Sequence, residues 1–134
     1  MIADPRTVDE FFDGSASARA IFDRIAAMVG SFDDVETRVS KSQIAFRHQF
    51  GFAYVWRPAR YLRTNVPAVL SVVLSERVDS PRFKSVVHVA PGKWMHHLEL
   101  RRPDQVDNEV AMWLRTACSR VERNARPVHD AGLR

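Results

Sequence analysis

Apolar and polar residues alternate from Ile44 to Arg57 in a pattern that is typical of two β-strands joined by a short turn. Successive side chains of a strand point to opposite faces, so the hairpin has one large, mostly apolar face and one small, cationic face. The large face is expected to hold Ile44, Phe46, His48, Phe52, Tyr54 and Trp56. The small face is expected to hold Ala45, Arg47, Ala53, Val55 and Arg57.

The length of the turn decides the register of this hairpin. A loop over residues 49–51 places Phe46 opposite Tyr54 and Ile44 opposite Trp56. This register keeps the two faces separate, whereas a two-residue loop would mix them, which is unfavourable when one face is buried. Gly51 is then expected in the left-handed conformation that closes a three-residue hairpin loop.

Helical patterns flank the strands. Residues 7–10, Thr-Val-Asp-Glu, form a capping-box motif that opens a short helix. Apolar residues then recur at helical spacing between Ala18 and Val29. Further strands are predicted from Val35 and over residues 68–75, 83–89 and 93–101, and Pro103 is expected to open a final helix.

This order of elements predicts an α+β fold. Consecutive strands with short turns indicate an antiparallel meander sheet of five or six strands, with two N-terminal helices and one C-terminal helix packed on one face. By its length of 134 residues the chain is a single domain. We expect that domain over residues 1–126 and a loose C-terminal tail over residues 127–134.

Composition narrows the class of protein. No apolar run approaches the length that crosses a bilayer, and the N-terminus lacks the features of a signal peptide, so a cytoplasmic protein without membrane association is expected. Cys118 is the only cysteine, which excludes an intramolecular disulfide. Adjacent strand positions direct His96 and His97 to opposite faces, so neither a metal site nor another cofactor is indicated.

The net charge of +4 is distributed unevenly. Residues 1–36 carry three basic and eight acidic side chains, whereas residues 37–101 carry eleven basic and three acidic ones. The basic excess therefore belongs to the predicted strands and their loops. It favours an anionic partner, although it is sparser than the lysine and arginine clusters of dedicated nucleic-acid binders.

The small face of the sheet is the candidate binding surface. We expect it to display Ala45, Arg47, Val55, Arg57, Ser71, Val73, His97, Glu99 and Arg101. Guanidinium groups beside small residues can pair with carboxylates or phosphates. Lys41, between two serines just before the hairpin, can bind an oxyanion or, if desolvated, act as a base. The alternative is a solvated outer sheet face with an exposed lysine in its turn.

Lys41, Arg47, Arg57 and His97 are therefore the predicted ligand-binding residues. The leading hypothesis is a non-enzymatic binding or accessory module for a small anionic ligand or an acidic protein partner. One alternative is a small enzyme that uses Lys41 or His97 as a base on an anionic substrate. Another is a nucleic-acid accessory domain, because Tyr61 lies among arginines in its loop. A homodimer is compatible with each of these hypotheses.

Four segments carry a family resemblance: Val-Asp-Glu-Phe-Phe from Val8, Val-Ser-Lys-Ser-Gln-Ile-Ala-Phe-Arg from Val39, Gly-Phe-Ala-Tyr-Val-Trp-Arg-Pro from Gly51 and Gly-Lys-Trp-Met-His-His-Leu-Glu-Leu from Gly92. With these segments the chain resembles bacterial members of the domain-of-unknown-function family catalogued as number 5655, from about Val8 to the final helix. The resemblance implies a small intracellular bacterial domain, found alone or appended to other proteins. It supplies no catalytic residues.

Overall fold

Helices and strands follow one another in the predicted order of types. The computed structural model describes residues 4–132, with side chains described as far as residue 120. The helices are α1 (Val8–Phe11), α2 (Ala16–Val29) and α3 (Asn108–Gly132). The strands are β1 (Glu36–Val39), β2 (Ile44–His48), β3 (Phe50–Trp56), β4 (Ala68–Leu74), β5 (Ser85–Ala90) and β6 (Lys93–Leu100).

The six strands form one antiparallel sheet in the order β1-β2-β3-β4-β6-β5. Helices α2 and α3 pack on the same face of it, so the predicted α+β class is confirmed. The strand order departs from a simple meander at one place, because β6 lies between β4 and β5. The connection over residues 75–84 therefore joins β4 to β5 across a gap one strand wide, which β6 then occupies.

Local sequence signals set the helix starts. Thr7 Oγ1 accepts the N–H of Glu10 at 3.1 Å and Glu10 Oε1 accepts the N–H of Thr7 at 3.1 Å, which confirms the capping box. The final helix does not open at Pro103 as predicted: Pro103–Gln105 is a short 3-10 turn. Helix α3 begins at Asn108. Asp107 caps its N-terminus, because Asp107 Oδ1 accepts the N–H of Val110 at 3.2 Å.

The C-terminal boundary of the domain stays a prediction. Helix α3 runs to Gly132. The tail predicted over residues 127–134 includes residues 133 and 134, which lie outside the described part of the chain. Within that described part, no helix combines the length and the apolarity that crossing a membrane requires.

The register of the β2–β3 hairpin contains a β-bulge. Phe46 pairs with Ala53, but the next pair is Arg47 with Gly51, so Phe52 is an extra residue in β3. A bulge of this kind changes which face the following residues occupy. Phe52 and Ala53 are both fully buried in the core beside Phe46.

The bulge makes the predicted register wrong. Ile44 pairs with Val55, and Ala45 pairs with Tyr54, each one position away from the expected partner. Val55, expected on the small face, is fully buried in the core under the helices. Tyr54 and Trp56, expected in that core, lie on the opposite face of the sheet and are half-buried.

The turn between β2 and β3 also differs from the expectation. The residue in the left-handed conformation is Gln49, with φ 67°, and not Gly51. Arg47 steadies this turn by donating a hydrogen bond from Nη2 to the carbonyl oxygen of Gln49 at 3.2 Å. Gly51 instead makes room for the ring of Tyr54, which lies directly against it on the face of the sheet opposite the helices.

Two side chains hold the long connection over residues 75–84 in place. Arg82 donates from Nη1 to both carboxylate oxygens of Asp107, at 3.0 and 3.1 Å, and to Glu109 at 2.9 Å. Its Nη2 donates to the carbonyl oxygen of Gln105 at 2.8 Å, and its guanidinium lies 5.7 Å from the ring centre of Trp113. Arg82 thus ties the connection to the start of α3.

His96 is the second anchor. Its fully buried ring accepts the backbone N–H of Val78 at Nε2, at 2.9 Å. Because a backbone N–H only donates, Nε2 is unprotonated, and the proton is on Nδ1, which donates to the carbonyl oxygen of Trp94 at 2.9 Å. Burial lowers the pKa of His96 from its usual 6.5, since a charged imidazole would lose solvation there.

We expect Arg82→Ala to lower the free energy of unfolding by about 1–3 kcal/mol, because three acceptors of one partly buried guanidinium would lose their donor. Urea denaturation measures this loss. Arg102→Ala is the matched control, since the ion pair of Arg102 with Asp104 is exposed and contributes little. Equal effects of the two substitutions would contradict the anchoring role of Arg82.

The buried His96 predicts a loss of stability in mild acid. The imidazole of His96 binds a proton near pH 6.5 in the unfolded chain but only at lower pH in the folded protein. The free energy of unfolding is therefore highest above pH 6.5, as far as this group is concerned, and it decreases as the pH falls below that value. His97, whose pKa is also lowered by burial, adds to the fall. Urea denaturation at about pH 7.5 and about pH 5.5 measures the difference.

His96→Gln tests the assignment of this fall. The glutamine amide can accept the N–H of Val78 but does not titrate. We expect the variant to lose part of the pH dependence, and His97→Gln to lose a separate part. A His96→Gln variant with the full pH dependence of the unmodified protein would show that other groups cause it.

Candidate functional site

The open face of the sheet, opposite the helices, carries one row of paired residues that crosses all six strands. From β1 to β5 the row consists of Arg38, Ala45, Tyr54, Ser71, His97 and Ser85. Residues paired across antiparallel strands share a face. Ser71 is small and stands between the larger side chains of Tyr54 and His97, so a depression lies over Ser71.

This depression is a cleft of about 490 Å³, a volume typical of small-molecule sites. We call it the aromatic cleft. Its lining comes from strands β3, β4 and β6 and from two loops: Tyr54, Trp56, Ser71, Met95, His97, Ser42, Gln43 and Tyr61. Tyr61, half exposed, follows the 3-10 turn Pro58–Arg60, which brings the loop after β3 back over the sheet.

Ser71 and His97 form a hydrogen-bonded pair on the floor of the cleft. Ser71 Oγ lies 2.7 Å from His97 Nδ1, and Ser71 is buried while His97 is half-buried. Burial lowers the pKa of His97 below 6.5, so the imidazole is neutral at neutral pH. In one tautomer the hydroxyl donates to Nδ1, and in the other the N–H of Nδ1 donates to the hydroxyl.

The second ring nitrogen of His97, Nε2, has no hydrogen-bond partner among the described residues. Within the described part of the chain, the bond to Ser71 is the only hydrogen bond of this imidazole, and every buried polar side-chain atom has a partner. Nε2 is therefore not fully buried, and His97 lines the aromatic cleft. It acts as a donor or as an acceptor according to the tautomer, so one neutral group can bind either type of polar atom on a ligand.

Gly51 fixes the position of Tyr54. A methyl group at residue 51 would overlap the hydroxyl of Tyr54 and lie 2.7 Å from its Cζ atom, so the ring lies directly over the glycine. Both residues are on the open face, on either side of the bulge. The absence of a side chain at residue 51 thus lets the tyrosine ring lie against β3, where it lines both the aromatic cleft and the next depression along the sheet.

Two further depressions adjoin the aromatic cleft. The first, of about 360 Å³, shares Trp56 and His97 with it and adds Arg63, Lys84 and Glu99; we call it the basic hollow. Lys84 Nζ lies 3.1 Å from Glu99, and Arg63 is exposed with no ion pair among the described residues. Because Glu99 pairs with Lys84, the excess positive charge that the basic hollow places next to the uncharged aromatic site comes from Arg63.

The second depression, of about 300 Å³, shares Tyr54 and Met95 with the aromatic cleft and adds Lys93 and Arg120; we call it the distal hollow. Arg120 is buried and donates from Nε to the carbonyl oxygen of Gly92 at 3.1 Å. Cationic side chains are thus present beyond both ends of the aromatic cleft.

The structure separates the four predicted ligand-binding residues. His97 lies in the aromatic cleft. Lys41 is exposed in the turn between β1 and β2, beside Ser42 of the cleft wall. Arg47 lies on the open face, near the turn that follows β2, and donates to the backbone there.

Arg57 lies on the helix side of the sheet. Its Nη1 donates to the carbonyl oxygens of Phe11 at 3.0 Å and Asp13 at 3.1 Å, at the C-terminal end of α1. Burial, together with nearby Arg60, lowers the pKa of Arg57, although a guanidinium stays charged at any physiological pH. The expectation that Arg57 shares the open face with Arg47 is wrong because the bulge at Phe52 shifts its position.

Sequence reasoning missed the aromatic part of the site. Tyr54 and Trp56 were expected in the core because large aromatic residues usually bury there. Val55 could have indicated the correct register, because a β-branched residue pairs well with the buried Ile44, and with Val55 in the core Tyr54 and Trp56 lie on the opposite face. Ser71 was expected on the correct face, but its partner His97 is 26 residues away in the chain.

This arrangement is suited to holding an uncharged planar group beside a negative one. Among the described residues, no group of three or more His, Cys, Asp or Glu side chains is placed to hold a metal ion. The site can stack a ring on Tyr54 and Trp56, form a hydrogen bond with His97 and pair a negative group with Arg63 or Lys84.

We expect Gly51→Ala to lower the free energy of unfolding by about 1–3 kcal/mol, because the ring of Tyr54 must move away from the added methyl group. In a Tyr54→Ala background the same substitution should cost little. Urea denaturation of the two single variants and the double variant gives the coupling energy. An equal cost of Gly51→Ala in both backgrounds would show that the tyrosine is not the cause.

Comparison with known proteins agrees with the resemblance noted in the sequence. A family model described as "Domain of unknown function (DUF5655)" matches residues 8–119. The match extends from α1 into α3 and includes all six strands and the aromatic cleft. No curated protein and no solved structure gave a significant match. Since the model covers most of the chain, the protein belongs to the DUF5655 family.

Proposed function

We propose that the protein is a non-enzymatic binding or accessory module whose open sheet face binds a small anionic ligand. The observation that carries this proposal is the aromatic cleft, with His97 Nε2 open on its floor and with cations in the adjoining basic hollow. Aromatic lining with a few placed polar groups is the usual composition of a small-molecule site.

The distribution of charge supports an anion. Arg63 and Lys84 lie where a ligand in the aromatic cleft would extend into the basic hollow. Lys41 and Arg47 stand farther out, at the turns that flank β2, where they raise the positive potential around the face. Charges in such positions increase the rate at which an anion arrives more than they increase its final affinity.

Arg57 is not needed for this proposal. A ligand contact from Arg57 would require its hydrogen bonds to the carbonyl oxygens of Phe11 and Asp13 to break. An acidic protein partner would use the same exposed cations, but a flat protein surface would leave the cleft unfilled. The aromatic lining of the cleft, with a few polar groups among it, therefore favours the small ligand.

A second candidate is an enzyme in which His97 acts as a base. The hydrogen bond of 2.7 Å to Ser71 and the lowered pKa of His97 favour it, because a neutral imidazole can accept a proton. Ser71, however, lies within β4, which is paired with β3 and β6 on its two sides. The strand leaves no backbone N–H to stabilise an oxyanion beside Ser71, so we favour binding over acyl transfer.

A panel of small anions should include a class that raises the melting temperature of the purified protein in a saturable manner, since a ligand of the folded state stabilises it by mass action. The panel contains inorganic phosphate, sugar phosphates, dicarboxylates and nucleotides, each titrated at low and high salt. Thermal denaturation followed by far-ultraviolet circular dichroism gives the shift.

His97→Ala and Arg63→Ala should each reduce that shift. Arg115→Ala is the matched control for Arg63→Ala, because Arg115 is an equally exposed arginine on α3, on the helix side of the sheet. A panel that produces no saturable shift would contradict the proposal. So would a shift that survives unchanged in the His97 and Arg63 variants.

A further inference from the structure

We infer that the aromatic cleft binds a nucleobase that carries a phosphate, with the ring in the cleft and the phosphate over the basic hollow. This inference rests on the proposed function and names the chemical class of its ligand. It follows from three features of the open face: the separation of charge from aromatic surface, the spacing of the aromatic side chains and the polar groups on the floor.

Charge and aromatic surface are separated in space. Among the described residues that line the aromatic cleft, none is Asp, Glu, Lys or Arg. The first cations, Arg63 and Lys84, belong to the adjoining basic hollow, where Glu99 pairs with Lys84 and Arg63 has no ion pair among the described residues. A ligand that fills both sites has an uncharged body and a negative group at its end. A compact anion such as phosphate or a dicarboxylate would make no use of the cleft.

The aromatic side chains favour a planar body. Tyr54 and Trp56 are two residues apart on β3 after the bulge, so they share the open face at a spacing of about 7 Å. Tyr61 adds a third ring from the loop that follows. Aromatic side chains displayed on the open face of an antiparallel sheet are a recurrent platform for stacking unpaired bases.

The polar groups of the cleft match the edge of a base. His97 Nε2 donates or accepts according to its tautomer, and the amide of Gln43 offers both donors and an acceptor. The edges of nucleobases present donors and acceptors side by side. A purely hydrocarbon ring would leave these groups without partners and would bind more weakly for that reason.

The same chemistry has two sources, a free nucleotide and an unpaired nucleotide within a single strand. Within a strand, a phosphate lies on each side of the base. The open face has cations beyond both ends of the cleft: Arg63 and Lys84 in the basic hollow, and the exposed Lys93 in the distal hollow. The experiment therefore includes both sources.

Binding is measured by the quenching of tryptophan fluorescence, because a base stacked on Trp56 changes its emission. The probes are the four nucleoside 5′-monophosphates, the matching nucleosides, ribose 5-phosphate, single-stranded hexanucleotides and their duplexes. We expect at least one monophosphate to bind roughly tenfold or more tightly than its nucleoside and than ribose 5-phosphate, since only the monophosphate fills both sites.

Two pairs of variants assign the contacts. Trp56→Leu should weaken binding by about 5- to 100-fold through loss of stacking, and Trp56→Phe should retain most of the affinity; both are followed by thermal shift, because they remove the reporter. Arg63→Ala should weaken the binding of the monophosphate and leave that of the nucleoside unchanged. Arg115→Ala should leave both unchanged.

The outcomes separate this inference from the proposed function. Single strands that bind more tightly than the monophosphate, with steep salt dependence, support the inference and identify the source as a strand. If a monophosphate binds and single strands bind no more tightly than it does, the inference is supported and the free nucleotide is identified as the source. If no nucleotide or strand binds while another anion still raises the melting temperature, the inference is overturned and the proposed function stands. If no anion acts, both are overturned.

Discussion

One extra residue in β3 decides how the two faces of the sheet are composed. Phe52 is accommodated as a bulge, so that it and the next residue both enter the core, and Val55 follows them there. Tyr54 and Trp56 are turned outward by the same step. A hydroxyl and an indole N–H inside the core would each need a partner, whereas on the open face water or a ligand supplies it. The bulge thus preserves an apolar core and creates an aromatic surface at once.

Two adjacent histidines of β6 show how strictly the strand separates its faces. His96 points toward the helices, where the N–H of Val78 and the carbonyl oxygen of Trp94 satisfy both ring nitrogens. His97 points to the open face, where Ser71 satisfies one nitrogen and the other stays open. The first ring has no capacity left for a ligand. The ring of His97 is oriented by its bond to Ser71, and its Nε2 atom can still form one hydrogen bond with a ligand.

Much of the fold follows from local sequence. The capping box at Thr7 and the alternation along the strands specify elements whose boundaries need only nearby residues. The alternation along β6 also places His97 on the correct face, because that strand pairs with β4 without a bulge. These features could be predicted since each is contained within a few consecutive positions.

The remaining features depend on contacts between distant residues. The carbonyl oxygens that hold Arg57 lie 46 and 44 residues before it, so no local pattern shows that its charge is already used. Gly51, directly before the bulged Phe52, is expected from the sequence to be a loop residue, so the bulge is not predicted, and it reverses the faces of every later residue of β3. The position of β6 between β4 and β5 is likewise decided by packing and not by the order of strands along the chain.

That position of β6 also governs the order in which the molecule can be assembled. As the chain emerges from the ribosome, β1 to β4 can pair one after another, but the outer edge of β4 has no neighbour until β6 has been made. Every residue of β4 is buried in the finished protein, so this edge is an apolar strand that must be kept from self-association in the interval. The strand that finally covers it also brings His97 to Ser71. Completion of the sheet and completion of the cleft are therefore a single event in the maturation of the chain.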